Sequence, residues 1–286
     1  MICVTGGGGM VGSQVLAQLR DRDVPVRALV RSAVARGAAE RQQVAPVEGD
    51  LDAPETLPAA FDGCDRLFLL SPPHPAQQDR EIAAIDAAKE AGVAHVVALS
   101  ILGADPASSV PFARWHSAVD RHLMDSGLGY TILRPAGFMQ VHLWPVATVR
   151  TERRWYGMTG DGVAGFIDAV DIGAVAAEVL SAPGHAGAVY ELTGPAALSM
   201  PEAARTLAEV IGSDVDYVDV APEAFTAQLT AAGLPDFIAA AITAAYRDIR
   251  AGHAATVTNS VENVLGRPPR SYREFAELHR ASIAAA

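Results

Sequence analysis

The sequence predicts an α/β protein built on a doubly wound parallel sheet, with a smaller, interleaved C-terminal α/β lobe. Short β-branched or apolar runs alternate with longer helical stretches from Met1 to about Ala136, which is how strands joined by crossover helices read. The chain has 286 residues, room for one large domain or a core with a second lobe. Half of the residues are apolar and only 19% are charged, so a sizeable core forms in place of a charge-expanded chain.

The strand candidates are residues 2–5, 26–30, 44–48, 67–70, 95–100 and 130–133. Helical stretches lie between them, the clearest at 76–91 and 112–126. In the second, Phe112, Trp115, Val119 and Leu123 recur three and four residues apart and predict one buried stripe, with Gly127 ending the helix. After Arg134-Pro135 the pattern loosens into a charged stretch at 150–154 and a glycine-rich one at 157–165. A helical period returns at 168–180, where Asp171 reads as an N-cap, and strands are expected at 188–193 and 215–220. The expected division is a core of residues 1–136, with 160–182 packing back on it, and a substrate-binding lobe of 137–159 and 183–286.

Charge and composition remove several function classes. The 22 Lys and Arg against 33 Asp and Glu leave a formal charge of −11, the wrong sign for a phosphate backbone, so no nucleic-acid contact is expected. No run approaches the roughly 18 apolar residues of a membrane span, and no basic leader precedes the first strand pattern. Cys3 and Cys64 form no C-x-x-C pair and suit a reducing, cytoplasmic setting. The histidines show no metal-ligand spacing and there is no G-x-S-x-G elbow, so neither a metal nor a serine hydrolase is expected. The oligomeric state stays open, a homodimer included.

The most informative segment is Val4-Thr5-Gly6-Gly7-Gly8-Gly9-Met10-Val11-Gly12, between the first strand and a helix. Glycines at 6, 9 and 12 permit a tight turn, a close approach of backbone amides to a pyrophosphate, and packing of helix on strand. The helix start adds positive partial charge. In this strand-turn-helix context the motif predicts a dinucleotide on a Rossmann core. An acidic residue at the tip of the second strand would hold the ribose hydroxyls of NAD, but this chain has Arg31 there, 19 positions after Gly12. A guanidinium suits the additional 2′-phosphate of NADP, with Arg36 nearby to assist. The alternative is that Arg31 is a solvated strand-end cation.

These residues, with Glu48-Gly49-Asp50-Leu51, Leu69-Leu70-Ser71-Pro72, Val96 to Ser100, Thr131 to Phe138 and the later Gly165-Phe166-Ile167-Asp168, resemble the atypical short-chain dehydrogenase/reductases. The closest look is the NmrA-like NAD(P)-binding group, which includes bacterial NADPH:quinone reductases. The resemblance covers most of the chain and is weakest over about the last 70 residues. It implies NADP(H) as cofactor, held by the turn from Thr5 through Gly6, Gly9, Met10, Val11 and Gly12. It also implies that Asp50 and Leu51 flank the adenine, that Ser71 and Pro72 line the ribose and phosphate path, and that Ser100, Pro135, Ala136 and Phe138 border the nicotinamide.

Most active short-chain dehydrogenases use a Tyr-x-x-x-Lys pair, in which the ammonium lowers the tyrosine pKa. The pair is absent, because the single lysine, Lys89, is preceded four residues earlier by Ile85. In the helix where the pair would lie, His116 and Asp120 are one turn apart and share a face. NmrA-like sequences often carry a His, or a Lys, followed four residues later by Glu there, so the shorter arm of Asp120 departs from the pattern. His116, Asp120 and Ser100 are the catalytic candidates, with a solvent-facing pair as the alternative. His74, Phe138, Trp144 and Tyr156 are the substrate-pocket candidates, whose alternative is loop or core packing. The expected activity is NADPH-dependent hydride transfer to a quinone-like or conjugated carbonyl small molecule; a non-catalytic NADP(H) sensor is the reading from another class.

Overall fold

The computed structural model describes residues 1–22 and 24–284. The chain begins with β1 (Ile2–Val4), α1 (Met10–Arg20), β2 (Val26–Val30), α2 (Ala33–Arg41) and β3 (Ala45–Glu48). It continues through α3 (Leu57–Phe61), β4 (Arg66–Leu69), α4 (Gln77–Glu90), β5 (His95–Leu99), α5 (Pro111–Asp125) and β6 (Gly129–Pro135). Next come α6 (Val146–Glu152), β7 (Arg154–Gly157), β8 (Val163–Ala164), α7 (Ala169–Ser181) and β9 (Ala188–Leu192). The remainder is β10 (Leu198–Ser199), α8 (Met200–Ile211), β11 (Asp216–Asp219), α9 (Pro222–Ala231), α10 (Asp236–Arg250), α11 (Ser260–Leu265) and α12 (Tyr272–Ala284).

Two compact units result, one of Met1–Pro135 with Ala169–Glu191, the other of Ala136–Asp168 with Leu192–Ala286. The first holds the sheet, in the order β3-β2-β1-β4-β5-β6-β9, and its first six strands pair in parallel. This order reverses between β1 and β4, the switch point beside which open parallel sheets bind ligands at their carboxyl ends. Apolar residues on both faces explain the burial: Leu67, Phe68, Val96, Val97, Ile132 and Leu133 are all fully enclosed. The returning segment begins at Ala169, later than residue 160, and extends to β9 because that strand closes the sheet edge. Helix α7 lies on α1 at Gly173, where a Cβ would stand 2.6 Å from that of Gln14. Arg66 donates to the carbonyls of Val179, Leu180 and Ala182, placing a cation at the negative end of α7.

The stripe of α5 differs from its expectation. Ala113, His116, Ser117, Val119, Asp120 and Leu123 are buried, while Phe112 and Trp115 are half-buried and stack edge to face on one another, centroids 5.3 Å apart. The helix is rotated toward its polar residues because His116 and Asp120 find partners inside on other elements, Gln77 for the first and Ser100 with Arg134 for the second. Asp171 is the third residue of α7, not its N-cap.

The second unit pairs β8 with β10 antiparallel and β7 with β11 in parallel. Its core gathers Met139, Trp155, Phe166, Leu207, Tyr272 and Phe275. Helix α8 starts with a capping box, in which Ser199 and Glu202 satisfy each other's backbone amides.

Candidate active site

The glycine turn opens α1 with no side-chain cap and no acidic residue in the first helical turn. The positive end of that helix is therefore left for an external anion. Gly6 has φ +63°, and a Cβ at Gly12 would lie 2.1 Å from the Gly6 carbonyl oxygen, so neither position admits a side chain without rebuilding the turn. A Cβ at Gly9 meets the same oxygen at 3.3 Å and is only tight, while Gly8 faces open space. Thr5 is fully buried, and its hydroxyl donates to the Leu70 carbonyl at 2.8 Å and accepts from the Leu70 amide. It fastens the end of β1 to the end of β4. Met10 is exposed and Val11 buried at the head of the helix.

The tips of β2 and β3 line an open groove of about 410 Å³ formed by Val30, Arg31, Ser32, Arg36, Gly49 and Asp50, among others. Arg31 is exposed there, held loosely by Asp50 at 4.0 Å and Asp52 at 3.5 Å. Arg36 pairs with Glu48 at 2.6 Å. Leu51 is half-buried beside them and packs against the sheet core. The amide-lined turn, the crowding at Gly12 and the basic rim of the groove fit a phosphorylated dinucleotide.

Beyond β4 and β5 lies a buried polar cluster. Ser71 donates to Glu81 at 2.6 Å, and Gln77 donates through Nε2 to Glu81 at 3.3 Å. The same Nε2 lies 3.2 Å from His116 Nε2. An amide nitrogen has only hydrogens to offer, so His116 Nε2 accepts and its proton sits on Nδ1. Burial pushes the His116 pKa down to about 4, so the ring is neutral at physiological pH. One turn later, Asp120 accepts from Ser100 at 3.0 Å and from Arg134 Nη2 at 2.8 Å, all on Oδ2. Burial raises the Asp120 pKa, with Arg134 and Ser100 opposing the rise. Glu81 is raised to about 7, chiefly by burial, with the Asp120 charge adding to it.

His116 and Asp120 are thus both buried, and the solvent-facing alternative does not hold. Nor do they pair with each other: Asp120 turns to Arg134 and His116 to Gln77. Pro135 and Ser100 are buried at the ends of adjacent strands, the Ser100 amide donating across them to the Leu133 carbonyl. Pro72 is exposed and His74 is half-buried, its Nδ1 accepting from the Ala76 amide at the head of α4. In the second unit, Ala136 is buried, Phe138 is half-buried and bridged to Ile167, and Trp144 is 52% exposed. Tyr156 donates to Glu152, and Trp155 is part of the core.

The sequence profile of the NAD(P)H-binding family matches residues 6–183. The chain belongs to this family. An NAD(P)H azoreductase of Xenophilus azovorans is 38% identical over the whole of both chains, and quinone oxidoreductase 2 of Escherichia coli is 33% identical over 84% of each. Among solved structures, the NADPH-dependent quinone oxidoreductase from Escherichia coli in complex with NADPH superposes with a TM-score of 0.89 at 29% identity, covering 97% of this chain and 99% of that one. The Citrobacter sp. triphenylmethane reductase complexed with NADP(H) gives 0.88 at 27%, covering 98% and 100%. This member of the family shares its fold with these NADP(H)-bound reductases along nearly its full length.

Sequence reasoning missed Gln77, Glu81 and Arg134 as parts of the site. The signal was present for the first two: they fall on the same stripe of α4 as the buried Ala84, Ile85 and Ala88. Two polar residues on an apolar stripe demand partners inside. Arg134 carried no such signal, because a strand-end arginine reads equally well as solvated.

Proposed function

We propose that the protein is an NADPH-dependent reductase of the atypical short-chain dehydrogenase/reductase type, acting on quinone-like or similarly conjugated small molecules. The observation that carries it is the glycine turn at the uncapped start of α1, set beside the basic groove at the tips of β2 and β3. In this reading the amides of residues 10–12 bind the diphosphate, Gly9 closes the turn by donating its amide to the Gly6 carbonyl, Gly12 lets the helix start pack against that turn, and Arg31 with Arg36 binds the 2′-phosphate. The nicotinamide, when bound, supplies the hydride. Ser100 has given its hydrogen to Asp120, so its oxygen is left to accept. His116 is a neutral donor through Nδ1, a hydrogen-bonding group and not a cationic acid. Substrates that accept hydride readily need little acid assistance, which makes the missing Tyr-x-x-x-Lys pair tolerable. In the second unit, exposed Trp144 is our foremost candidate for meeting a flat substrate, ahead of Phe138 and Tyr156. The two unpaired thiols suit a cytoplasmic setting.

The test is steady NADPH oxidation with a simple quinone and with an azo dye. Arg31→Ala raises the KM for NADPH about tenfold or more, the worth of a charge-assisted contact, and changes that for NADH much less. Tight nucleotide binding without turnover on either substrate would overturn the reductase reading, and an unchanged NADPH preference would remove Arg31 from the phosphate site.

A further inference from the structure

Toward the amino ends of the parallel strands, opposite the glycine turn that follows β1, the first unit holds reactive groups that the reductase reading does not use. Cys3 in β1 lies directly across from Arg27 in β2, so the two side chains stand side by side on one face of the sheet. Cys64 sits in the turn two residues before β4. Arg27 Nε and Nη2 both donate to Cys64 Sγ, at 3.1 and 2.8 Å, and Nη2 also donates to the Asp62 carbonyl. That sulfur and that carbonyl are the partners of the guanidinium among the described residues. A neutral thiol is a weak acceptor, whereas a thiolate is an anion that suits a forked cation.

The second cysteine completes the arrangement. Cys3 and Cys64 belong to one buried cluster, and Cys3 keeps its proton, its pKa raised chiefly by the hydrogen bond it shares with Cys64. The same bond, with Arg27 behind it, brings the Cys64 pKa down to about 6 against the opposing effect of burial. The other charges around the sulfur are the Met1 ammonium, paired with Asp65 at 2.6 Å, and the exposed carboxylates of Asp62 and Asp65 in the turn itself. Gly63 and Asp65 on either side of Cys64 are exposed, and Arg27 is half-buried. Cys64 is 4% exposed, so whatever reacts with it is a small molecule and not a protein.

We propose that Cys64 is a modification site at which a small hydroperoxide oxidises the protein to a Cys3–Cys64 disulfide. Cys64 Sγ attacks one peroxide oxygen; the S–O bond forms, the O–O bond breaks, and the departing oxygen takes a proton from solvent and leaves as water or an alcohol. Cys64 is then a sulfenic acid, oxidised by the two electrons that reduced the peroxide. Cys3 Sγ next attacks that sulfur. The S–S bond forms, the S–O bond breaks, and hydroxide leaves with the Cys3 proton as water. Arg27 loses the anion it held, and a small thiol returns the pair to the reduced state by exchange.

The test is alkylation and peroxide treatment of the reduced full chain, read by peptide mass. In native protein iodoacetamide labels Cys64 with a pH profile centred at about 6 and spares Cys3. Hydrogen peroxide lowers the mass by two hydrogens and joins the Cys3 and Cys64 peptides, and a thiol reductant reverses both changes. In Cys3→Ala, oxidation stops at the Cys64 sulfenic acid, which dimedone captures. Arg27→Gln raises the alkylation midpoint by about one to two units and slows labelling at pH 6 about threefold, the lost thiolate outweighing the nucleophilicity gained. A native midpoint near the ordinary thiol value of about 8.5, or peroxide treatment that leaves both thiols free, overturns the proposal however the variants fold. NADPH oxidation plays no part in these readouts, so they succeed or fail independently of the reductase reading.

Discussion

Two buried histidines, one in each unit, show what separates a wired polar residue from a stranded one. His116 in α5 accepts from Gln77, which also donates to Glu81, the acceptor of Ser71 as well, and its neighbour Asp120 joins Ser100 to Arg134. His142 sits among Trp155, Phe166 and Tyr272, with ring centroids 5.0, 4.5 and 5.3 Å away, and neither of its nitrogens has a hydrogen-bond partner among the described residues. Burial forces both rings neutral, to pKa values of about 4 and about 3. Yet only the first is connected to groups that can pass or hold a proton. A depressed histidine pKa alone therefore says nothing of function; the partners decide.

The comparison breaks most visibly at Arg134. Asp120 is 3% exposed on its side chain and owes its charge to that guanidinium, while its other oxygen, Oδ1, has no partner. Arg134→Met leaves the carboxylate without a cation and is expected to cost about 3 kcal/mol in urea unfolding, since removing one partner of a buried pair exposes the full desolvation penalty. A loss below about 1 kcal/mol, the scale of a surface ion pair, would mean that the network does not depend on its cation.

Acid sharpens the contrast next. Below the ordinary histidine value of 6.5, the unfolded chain takes up a proton that native His142 refuses until about pH 3. Its contribution therefore falls as pH falls, by about 1.4 kcal/mol per pH unit. Glu81 runs the other way: raised from 4.5 to about 7, it adds stability that is present below 4.5 and lost as pH rises through about 7. The His142 effect is isolated by difference, as the widening gap in urea unfolding free energy between native protein and His142→Leu on acidification. A gap constant with pH would show that His142 is solvated.

The sheet was legible because its signals are local. Each parallel strand is a short apolar run, and the glycine turn is a contiguous string whose spacing is dictated by backbone geometry, as Gly6 and Gly12 show. The polar cluster was only half legible. His116 and Asp120 stand one turn apart in the sequence, but which way α5 faces depends on Gln77 from α4, Ser100 after β5 and Arg134 from β6, three long-range partners that no periodicity in α5 encodes. Phe112 and Trp115 misled for the same reason: their spacing matched a buried stripe, yet polar residues with partners outcompeted them for the interior. Arg31 was legible as a position, while its loose hold by Asp50 and Asp52 required the fold.

The smallest effect is the most discriminating, because the two histidines should answer one substitution with opposite signs at neutral pH. His116→Leu strands the Gln77 hydrogen that His116 accepts, in a site too enclosed for water to replace it, and is expected to destabilise by about 1 kcal/mol. His142→Leu strands nothing. It surrenders three edge-on ring contacts, each worth about 0.5–1.5 kcal/mol at most, and removes two buried unpartnered nitrogens at about 1–3 kcal/mol each. The nitrogens outweigh the rings, so the expected result is a gain of about 1 kcal/mol in urea unfolding at unchanged m. Should both variants lose stability alike, the aromatic cage holds His142 more firmly than its missing hydrogen bonds imply, and the two sites differ less than their geometry shows.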